Sequence, residues 1–513
     1  MASPDVCESL QPMEAPAFVY AVTSMQFPSR TAQIFCFTVF GLCPYPPVAP
    51  LAFNFTKPRP LKHQPSGYIR EPLKVVHISD VHVDQNYTVG ASFNCSEPLC
   101  CHAYTPPEAP GNTSFPAGPF GNHNCDLPVS LEESMYNAIK EIVPERAFSI
   151  FSMFLRYGMN NMLTSILAGD ISSTDWLATP EVVVFDTNDT FSRMNGLGVV
   201  YSAVGNHDSS PVNQFPPEQV VQQTNTSIQY AYDAFAEGLS QSIGSAAGMK
   251  FDTNSGSYSI IHPNSNLKII SFNTIFGMKE NFWVYETAME QDPSGVFEFI
   301  VQELDEAEEC GQRVWILGHI APGLDDMLYD FSASFDAIVQ RYHGTIAAMF
   351  WGHVHRDQFE ISYSNYSDQI AENAIAAGFI APSVTPTSGY PSFRVYSVDP
   401  VTYDVLDYTS YYTNMSAPGF QVRPQWQSLY SFKEAYGSQM NPPYIAPNLP
   451  ISPAFLNNVT DLFANDDNVF QEYNSRKFRG KLLFFFSLSF LHIQDRSFSQ
   501  SPLAVTSRTC ANG

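Results

Sequence analysis

The sequence predicts an α/β protein, because short apolar runs rich in β-branched residues alternate with helical patterns from Leu73 to about Pro400. The runs are nearly continuous, which suits strands of a largely parallel sheet that is covered on both faces. With 513 residues, 44% of them hydrophobic, the chain can bury a large core. The predicted strands are Leu73–Ser79, Val199–Val204, Lys268–Asn273, Val314–Leu317 and Ala347–Trp351.

Helical periodicity is clearest in Gly295–Cys310, where apolar residues recur at helical spacing after the start signal Asp292-Pro293. Beyond Val401 the periodicity weakens, and Gln425–Tyr436 is the remaining predicted helix. Upstream of the α/β region, the proline-rich stretch Pro44–Pro65 predicts an extended linker.

The charge balance excludes some classes of partner. The chain has 50 Asp and Glu against 25 Lys and Arg, so no overall positive field attracts nucleic acid or an anionic membrane. A single phosphorylated substrate held by metal stays compatible with this balance. The apolar run Leu482–Ile493 is roughly half of the ~20 residues that a spanning helix needs, so no transmembrane segment is expected.

Glycosylation sequons and cysteines predict an oxidising compartment, secreted or lysosome- or vacuole-like. Residues 1–30 contain no recognisable signal peptide, so either the start is incomplete or the protein is cytosolic. The cysteines that support secretion are the cluster Cys95, Cys100, Cys101 and Cys125. The sequons are Asn54, Asn86, Asn94, Asn112, Asn188, Asn225, Asn365, Asn414 and Asn458.

Five short polar motifs occur in order, most of them where a predicted strand ends. In an open α/β sheet the carboxyl ends of the strands form the edge where ligands bind, so we expect these motifs to converge. Each motif alone occurs often by chance, but five in this order do not. They are Asp80-Val81-His82, Gly169-Asp170, Gly205-Asn206-His207-Asp208, Gly318-His319 and Gly352-His353-Val354-His355.

The motifs contain a set of metal ligands. Two carboxylates, one amide oxygen and four imidazoles suit Zn, Mn or Fe and give no thiolate site. Seven ligands are too many for one ion, so two divalent ions about 3.5–4 Å apart, bridged by one carboxylate, are expected. The candidate ligands are Asp80, His82, Asp170, Asn206, His319, His353 and His355.

The order of these motifs resembles that of the calcineurin-like metallophosphoesterases, and longer stretches resemble the acid sphingomyelinase family, in its fungal type. The resemblance covers about Leu73–Gly437 and extends weakly to Cys7, Cys36 and Cys43, which are similar to half of a saposin-type domain. Half of such a domain would leave all three cysteines unpaired. The stretches are Asn94–Cys101, Cys125–Pro128, Pro211–Pro217, Glu280–Trp283, Phe379–Ser383, Pro424–Gln427 and Ala435–Gly437.

The resemblance implies a fold: a β-sandwich flanked by helices, with a partial saposin-like N-terminus and a helical C-terminal region. The expected divisions are residues 1–58 (saposin-like), 59–72 (linker), 73–400 (metallophosphoesterase domain), 401–480 (C-terminal region) and 481–513 (an unmatched tail). It also implies the disulfides Cys95–Cys100 and Cys101–Cys125.

The resemblance also implies roles for the site residues. Asp80, His82 and His355 would hold one metal and Asn206, His319 and His353 the other, with Asp170 between them. His207 would lie beside the scissile phosphate, where it can stabilise charge or protonate the leaving oxygen.

The chain departs from the family pattern in three places. A family histidine four residues after Asp170 is replaced by Thr174, which cannot deliver a proton near neutral or acidic pH. A family strand similar to Ala147–Phe151 runs almost directly into Gly-Asp, whereas here roughly Met153–Leu167 is inserted. The tail after Gly480, with its apolar run from Lys481 to Phe486, matches nothing in the family.

The expected activity is hydrolysis of sphingomyelin to ceramide and phosphocholine by a hydroxide held between two metal ions, with zinc as the expected metal. The expected partner is a phospholipid at a membrane surface. Two alternatives stay open: a phosphodiesterase of soluble nucleotides or other phosphate esters, and a metal- or lipid-binding protein with little catalysis.

Overall fold

The computed structural model describes residues 4–55, 71–97, 99–144, 164–175, 177–286 and 291–480. The helices are α1 (Pro4–Ser24), α2 (Arg30–Phe40), α3 (Val129–Ile142), α4 (Pro180–Met194), α5 (Glu218–Thr224), α6 (Gln229–Ile243), α7 (Ser245–Thr253), α8 (Val296–Glu309), α9 (Tyr329–Tyr342), α10 (Phe432–Ala435), α11 (Pro453–Asn465) and α12 (Asp467–Lys477). The strands are β1 (Leu73–Ile78), β2 (Val83–Asp84), β3 (Leu127–Pro128), β4 (Thr164–Ala168), β5 (Val199–Ala203), β6 (Tyr258–Ile261), β7 (Leu267–Ser271), β8 (Arg313–Leu317), β9 (Ile346–Trp351), β10 (Gln358–Tyr363), β11 (Ala374–Ile380), β12 (Ser392–Val398), β13 (Val405–Thr413) and β14 (Trp426–Ser431).

Two six-stranded sheets form a β-sandwich, in the orders β14-β13-β12-β1-β4-β5 and β10-β11-β9-β8-β7-β6. Alternate residues of the strands face two different cores. Val75 of β1 and Trp315 of β8 belong to the core between the sheets, whereas Val76 and Ile316 belong to the core that includes helix residues. Both faces are therefore covered, which explains the continuous apolar runs.

The α/β class and the sandwich are confirmed, but the expectation of one largely parallel sheet is wrong. Strands β1, β4 and β5 are parallel in one sheet, and β7, β8, β9 and β11 are parallel in the other. Antiparallel strands complete both sheets, among them β12, β13 and β10. Strands β10 and β13 mix buried with half-buried residues, and the largely buried β12 contains Ser392, Arg394 and Ser397, so none of the three has a continuous apolar signal.

The five predicted strands and the predicted helix at Gly295–Cys310 are confirmed within one or two residues at their ends. The predicted helix Gln425–Tyr436 is wrong. Its first half is β14, which pairs antiparallel with β13, and only the four residues of α10 are helical. The ring of Trp426 packs 5.4 Å from that of Phe393, so tertiary contacts outweigh local helical spacing.

The predicted insertion Met153–Leu167 overlaps strand β4, so its last residues belong to the sheet. Thr164–Ala168 is fully buried and pairs in parallel with both β1 and β5, and it leads directly into Gly169-Asp170. The segment Met153–Leu167 therefore ends in a central strand of the sheet. Residues 145–163, including the strand expected at Ala147–Phe151, lie outside the described residues, as does the tail after Gly480.

The two N-terminal helices pack on the 3-10 helix Phe282–Glu286. The ring of Phe18 in α1 lies 5.5 Å from that of Phe282, and Phe35 in α2 lies 5.0 Å from Tyr285. Cys36 is bonded to Cys43, so the expectation that all the early cysteines are unpaired is wrong for these two. The side chain of Cys7 lies outside the described part of the chain.

Residues 44–55 contain no helix or strand, as the linker prediction requires, but they pack on the rest of the protein. The Tyr45 hydroxyl donates to Asp330 Oδ2 over 2.6 Å, and the backbone N–H of Leu51 donates to Ser334 Oγ over 3.0 Å. Residues 56–70 lie outside the described residues. Among the helices that the structure describes, none has the length and apolar character needed to cross a bilayer.

Two further disulfides, Cys95–Cys100 and Cys101–Cys125, enclose a small buried cluster. Because Cys101–Cys125 closes a loop of 24 residues, we expect its removal by Cys101→Ser with Cys125→Ser to destabilise the protein by about 3 kcal/mol. Limited proteolysis should then cleave within Pro106–Gly121, whereas cleavage in the variant at the wild-type rate would argue against a restraining bond. Recovery of free Cys101 and Cys125 from active protein would contradict the assignment.

Candidate metal centre

The five motifs meet at one edge of the sandwich, in the turns that follow β1, β4, β5, β8 and β9. Most of the predicted ligands are completely buried or nearly so, whereas His353 and His355 are half-buried. His207 is also half-buried, so these three imidazoles line the open side of the site. The residues brought together are Asp80, His82, Asp170, Asn206, His207, His319, His353 and His355.

The polar atoms form two adjacent clusters, one of Asp80, His82 and His355 and one of Asp170, His319 and His353, and a third group of His82, Asp170 and His207 joins them. In the first, His82 Nε2 lies 3.0 Å from His355 Nε2, and His355 Nε2 lies 3.5 Å from Asp80 Oδ1. In the second, His319 Nε2 lies 2.9 Å from Asn206 Oδ1. Asp170 Oδ2 lies 3.5 Å from His82 Nε2 and 3.1 Å from His319 Nε2. One carboxylate therefore contacts both clusters, as a bridging ligand must.

Backbone carbonyls set the tautomers of two of the histidines. His82 Nδ1 donates to Ser172 O over 3.1 Å, and His319 Nδ1 donates to Ala168 O over 2.6 Å. In the neutral ring each Nε2 then carries a lone pair directed into the site. Such an outer hydrogen bond on the second ring nitrogen is typical of metal-binding histidines.

A chain of side chains orients the ligands of the second cluster. His353 Nε2 donates to Asp326 Oδ2 over 3.2 Å, which leaves Nδ1 directed at Asn206 Oδ1, 3.0 Å away. The amide of Asn206 donates to Asn213 Oδ1 over 2.8 Å, and the amide of Asn213 donates to Glu280 Oε2 over 2.9 Å. The oxygen of Asn206 is thereby fixed toward the imidazoles.

Lone pairs of nitrogen and oxygen face one another at about 3 Å, an arrangement that needs a proton or a cation between them. The donor set fits divalent ions of the zinc type, since it combines imidazole, carboxylate and amide oxygen without thiolate. The clusters suit two such ions.

Two glycines permit the close approach of the turns. A Cβ atom on Gly205 would overlap the carboxylate of Asp170, and one on Gly352 would overlap Ser79 Oγ and approach Asp80. The glycines that precede the candidate ligands therefore act by removing side-chain volume.

The backbone is strained at the candidate ligands. The φ angles of Asp80, His82, Asp170, His353 and His355 lie between 46° and 73°, in the left-handed region that costs non-glycine residues free energy. In this conformation Asp80 and His82 face the same cluster, whereas His353 and His355 face different clusters. Such strain is concentrated at functional sites.

Burial and mutual charge shift the pKa values of the site. Burial lowers the pKa of His82 to about 3 and raises that of Asp80 to about 6. Burial would also lower the pKa of His319, but the Asp170 carboxylate outweighs it and raises this pKa to about 9. In the absence of metal, a proton on His319 therefore balances Asp170, and metal binding must displace that proton.

His207 and Thr174 differ in their surroundings. The backbone N–H of His207 donates to Asp170 Oδ1 over 2.9 Å, and its ring lies 4.9 Å from that of His82. Burial lowers the pKa of the His207 imidazole. Thr174 instead donates from its backbone N–H and its hydroxyl to Asp126 Oδ2, over 2.5 and 2.8 Å.

Several residues that support the site were not assigned from the sequence. Asp208 accepts hydrogen bonds from the backbone N–H groups of Ile171 and Gly205, over 2.8 and 2.7 Å, and so joins the turns after β4 and β5. Asp326 orients His353 from 27 positions away, and Asn213 orients Asn206 from seven positions away. Asp208 follows His207 in the motif Gly205–Asp208, and Asn213 lies in the stretch Pro211–Pro217, so these positions were the available signals.

Comparison with known proteins finds similarity to several sphingomyelin phosphodiesterases and to a related phosphodiesterase. Sphingomyelin phosphodiesterase B of Dictyostelium discoideum is 30% identical over 444 residues, covering 84% of this chain and 65% of that protein. Human sphingomyelin phosphodiesterase is 32% identical over 380 residues, covering 71% of this chain and 55% of that protein. Human acid sphingomyelinase-like phosphodiesterase 3b is 28% identical over 432 residues, covering 79% of this chain and 83% of that protein.

The chain thus spans between 55% and 65% of the length of the two sphingomyelin phosphodiesterases. No protein-family model matches it. These similarities confirm the resemblance to the acid sphingomyelinase family.

Proposed function

We propose that this chain, which is homologous to the sphingomyelin phosphodiesterases over most of its length, is a metal-dependent phosphodiesterase that hydrolyses sphingomyelin to ceramide and phosphocholine. The observation that carries the proposal is the convergence of imidazole, amide and carboxylate lone pairs into two clusters that Asp170 joins through its contacts with His82 and His319. The proposed substrate is sphingomyelin because the similar proteins are named sphingomyelin phosphodiesterases.

In this proposal Asp80, His82 and His355 hold one ion, Asn206, His319 and His353 hold the other, and Asp170 contacts both. Two bound divalent ions, zinc in our proposal, would supply a water of lowered pKa and would neutralise charge on the phosphodiester. The chain's own residues fix the ligands, exclude water on the buried side and leave His207 on the open side, where the leaving oxygen can be protonated.

We further propose a secreted or lysosome-like location and action on a membrane lipid. Disulfides within the described residues and the exposure of the sequons support this. Among the sequon asparagines only Asn414 is half-buried rather than exposed. The exposed ones are Asn54, Asn86, Asn94, Asn112, Asn188, Asn225, Asn365 and Asn458.

A direct comparison of substrates tests the function. Zinc-loaded protein is assayed at acidic and neutral pH on sphingomyelin vesicles and on a soluble nucleotide diester, with a chelator-treated sample as control. Faster cleavage of sphingomyelin, lost with the chelator, supports the proposal. Faster cleavage of the nucleotide would favour the soluble-ester alternative, and metal binding without cleavage of either would favour a binding protein.

The residue Thr174 should limit lipid turnover, because its hydroxyl cannot donate a proton to an alkoxide at these pH values. We expect Thr174→His to raise sphingomyelin hydrolysis by about 10-fold or more and to leave hydrolysis of a nitrophenyl diester nearly unchanged. The neighbouring Asp126 carboxylate, which now accepts from Thr174, can orient the new imidazole.

Thr174→Asn is the matched control, since it removes the same hydroxyl and adds no side chain that can act as an acid. Equal effects of Thr174→His on both substrates, or a gain equal to that of Thr174→Asn, would contradict the idea that this position lacks an acid.

A further inference from the structure

The last described turn of the chain places a buried arginine behind the metal centre. Arg479, which follows α12, is completely buried. Its Nη1 donates to Ser383 O over 2.7 Å and to Thr385 O over 3.2 Å, and its Nη2 donates to Thr387 O over 2.5 Å. Nη1 also reaches Ser383 Oγ over 2.7 Å. One guanidinium therefore binds three alternate carbonyls of a single loop, Ser383–Thr387.

The same loop supports the first metal-binding turn. The backbone N–H of Val384 donates to Ser79 O over 3.0 Å, and that of Thr385 donates to Asp80 O over 3.1 Å. Asp80 has a φ of 50°, so its strained conformation depends on such restraints. Thr387 Oγ1 lies 3.5 Å from His355 Nδ1. The loop thus lies between Arg479 on one side and two candidate ligands on the other.

We propose that Arg479 is a positioning residue for the half of the centre formed by Asp80, His82 and His355. It holds Ser383–Thr387 in place, and this loop in turn fixes the Asp80 turn and contacts His355. The inference rests on the two-ion site proposed above. It also assigns a role to a residue that lies beyond the stretches resembling the family, which end at Gly437.

Arginine suits this role because its five donors form a rigid planar fork, and removal would leave several buried acceptors without donors. Among the described residues no carboxylate forms an ion pair with it. Burial lowers its pKa to about 9, while the negative charges of Asp80 and Asp357 partly offset this. The guanidinium stays cationic at neutral and acidic pH.

The test compares Arg479→Met, which keeps the length of the side chain without its donors, with Arg479→Lys, which keeps the charge and fewer donors. Zinc affinity is measured for each ion by titration against a competing chelator. We expect Arg479→Met to weaken the binding of one zinc ion by about 10–100-fold and to leave the affinity for the other near its wild-type value. Arg479→Lys should lie between Arg479→Met and the wild type.

Arg476→Met is the matched control, because Arg476 lies on the same helix end and its guanidinium stacks on Tyr430 and Tyr436, away from the loop. It should lower thermal stability without selective loss of one ion. Each change is also combined with His355→Ala and with His353→Ala. Arg479→Met should add little to His355→Ala, which already damages the same half, and should add its full effect to His353→Ala.

The outcomes separate this inference from the proposed function. If the wild type binds fewer than two zinc ions, the two-ion site itself fails. If the wild type binds two and both Arg479 variants keep wild-type affinity for each ion, the positioning role is overturned. Equal loss of affinity for both ions, as a general loss of stability would give, also overturns the positioning role. If Arg479→Met does not fold, the affinities of Arg479→Lys decide.

Discussion

Asp170→Asn should abolish phosphodiester hydrolysis and reduce bound zinc from two ions to one or none. Asp170 Oδ2 lies 3.5 Å from His82 Nε2 and 3.1 Å from His319 Nε2, so this carboxylate contacts one histidine of each cluster. A neutral amide cannot neutralise two cations. Because the contribution of such ions to the transition state is several kcal/mol, we expect activity to fall by about 10³-fold or more.

The metal-free variant should nevertheless fold. The amide oxygen of the new asparagine can still accept the hydrogen bond that His207 N now donates over 2.9 Å to Oδ1. Its NH₂ group can donate to the lone pair of a neutral His319, in place of the ion pair that Asp170 makes with the protonated ring at 3.1 Å. Because that ion pair is lost, we expect the metal-free variant to stay folded with a thermal stability below that of the metal-free wild type, measured by calorimetry in the presence of a chelator.

Asp175→Asn is the matched control, since Asp175 lies in the same turn and its carboxylate accepts only from the backbone of Leu177 in the described structure. It should keep two ions and most of the activity. If Asp170→Asn retained two zinc ions at wild-type affinity, Asp170 would not be a bridging ligand.

The parts of the fold that the sequence predicted are those with a strong local signal. Continuous apolar runs identified β1, β5, β7, β8 and β9, because their residues face two cores at once. The polar motifs at their ends then identified the site. The antiparallel strands were missed, and Gln425–Tyr436 was assigned to a helix, because strand β14 is stabilised by pairing with β13 rather than by its own pattern.

The orientation of the candidate ligands could not be predicted, because it depends on contacts distant in sequence. Asp326 orients His353, and Arg479 reaches Ser383 across almost a hundred positions. The left-handed φ angles of the ligand turns could not be assigned from residue type either, because aspartate and histidine are enriched in this region but adopt it at a minority of positions. Local patterns identified which residues meet, and tertiary contacts determine how they meet.

The role of His207 gives the second large expected effect. Its backbone N–H donates to Asp170, its ring lies against that of His82, and it is half-buried on the open side of the site. With threonine at position 174, His207 is the imidazole outside the proposed ligand set that this site offers to the leaving oxygen. General acid catalysis typically contributes about 10²–10⁴-fold, so His207→Ala should lower sphingomyelin hydrolysis by about that factor.

If His207 is the general acid, the rate of lipid hydrolysis should fall as the pH rises. Burial lowers the pKa of His207 below its usual value of 6.5, so the protonated form that can donate is lost as pH rises through that lowered pKa. Wild-type lipid hydrolysis should therefore fall toward neutral pH at saturating zinc. In His207→Ala this fall should disappear, while any loss at low pH caused by protonation of the metal ligands should persist.

A nitrophenyl diester separates proton donation from other roles of His207, because a nitrophenolate leaves without a proton. His207→Ala should therefore reduce turnover of this substrate far less than turnover of sphingomyelin, while bound zinc stays at two. His262→Ala is the control. It removes a half-buried imidazole that is hydrogen-bonded to Tyr201 and should change the hydrolysis rate of neither substrate by much. Equal losses on both substrates would mean that His207 stabilises charge at phosphorus, and loss of one zinc ion would make it a ligand. Either result would exclude His207 as the acid, because an acid must affect the poor leaving group selectively and leave the ions in place.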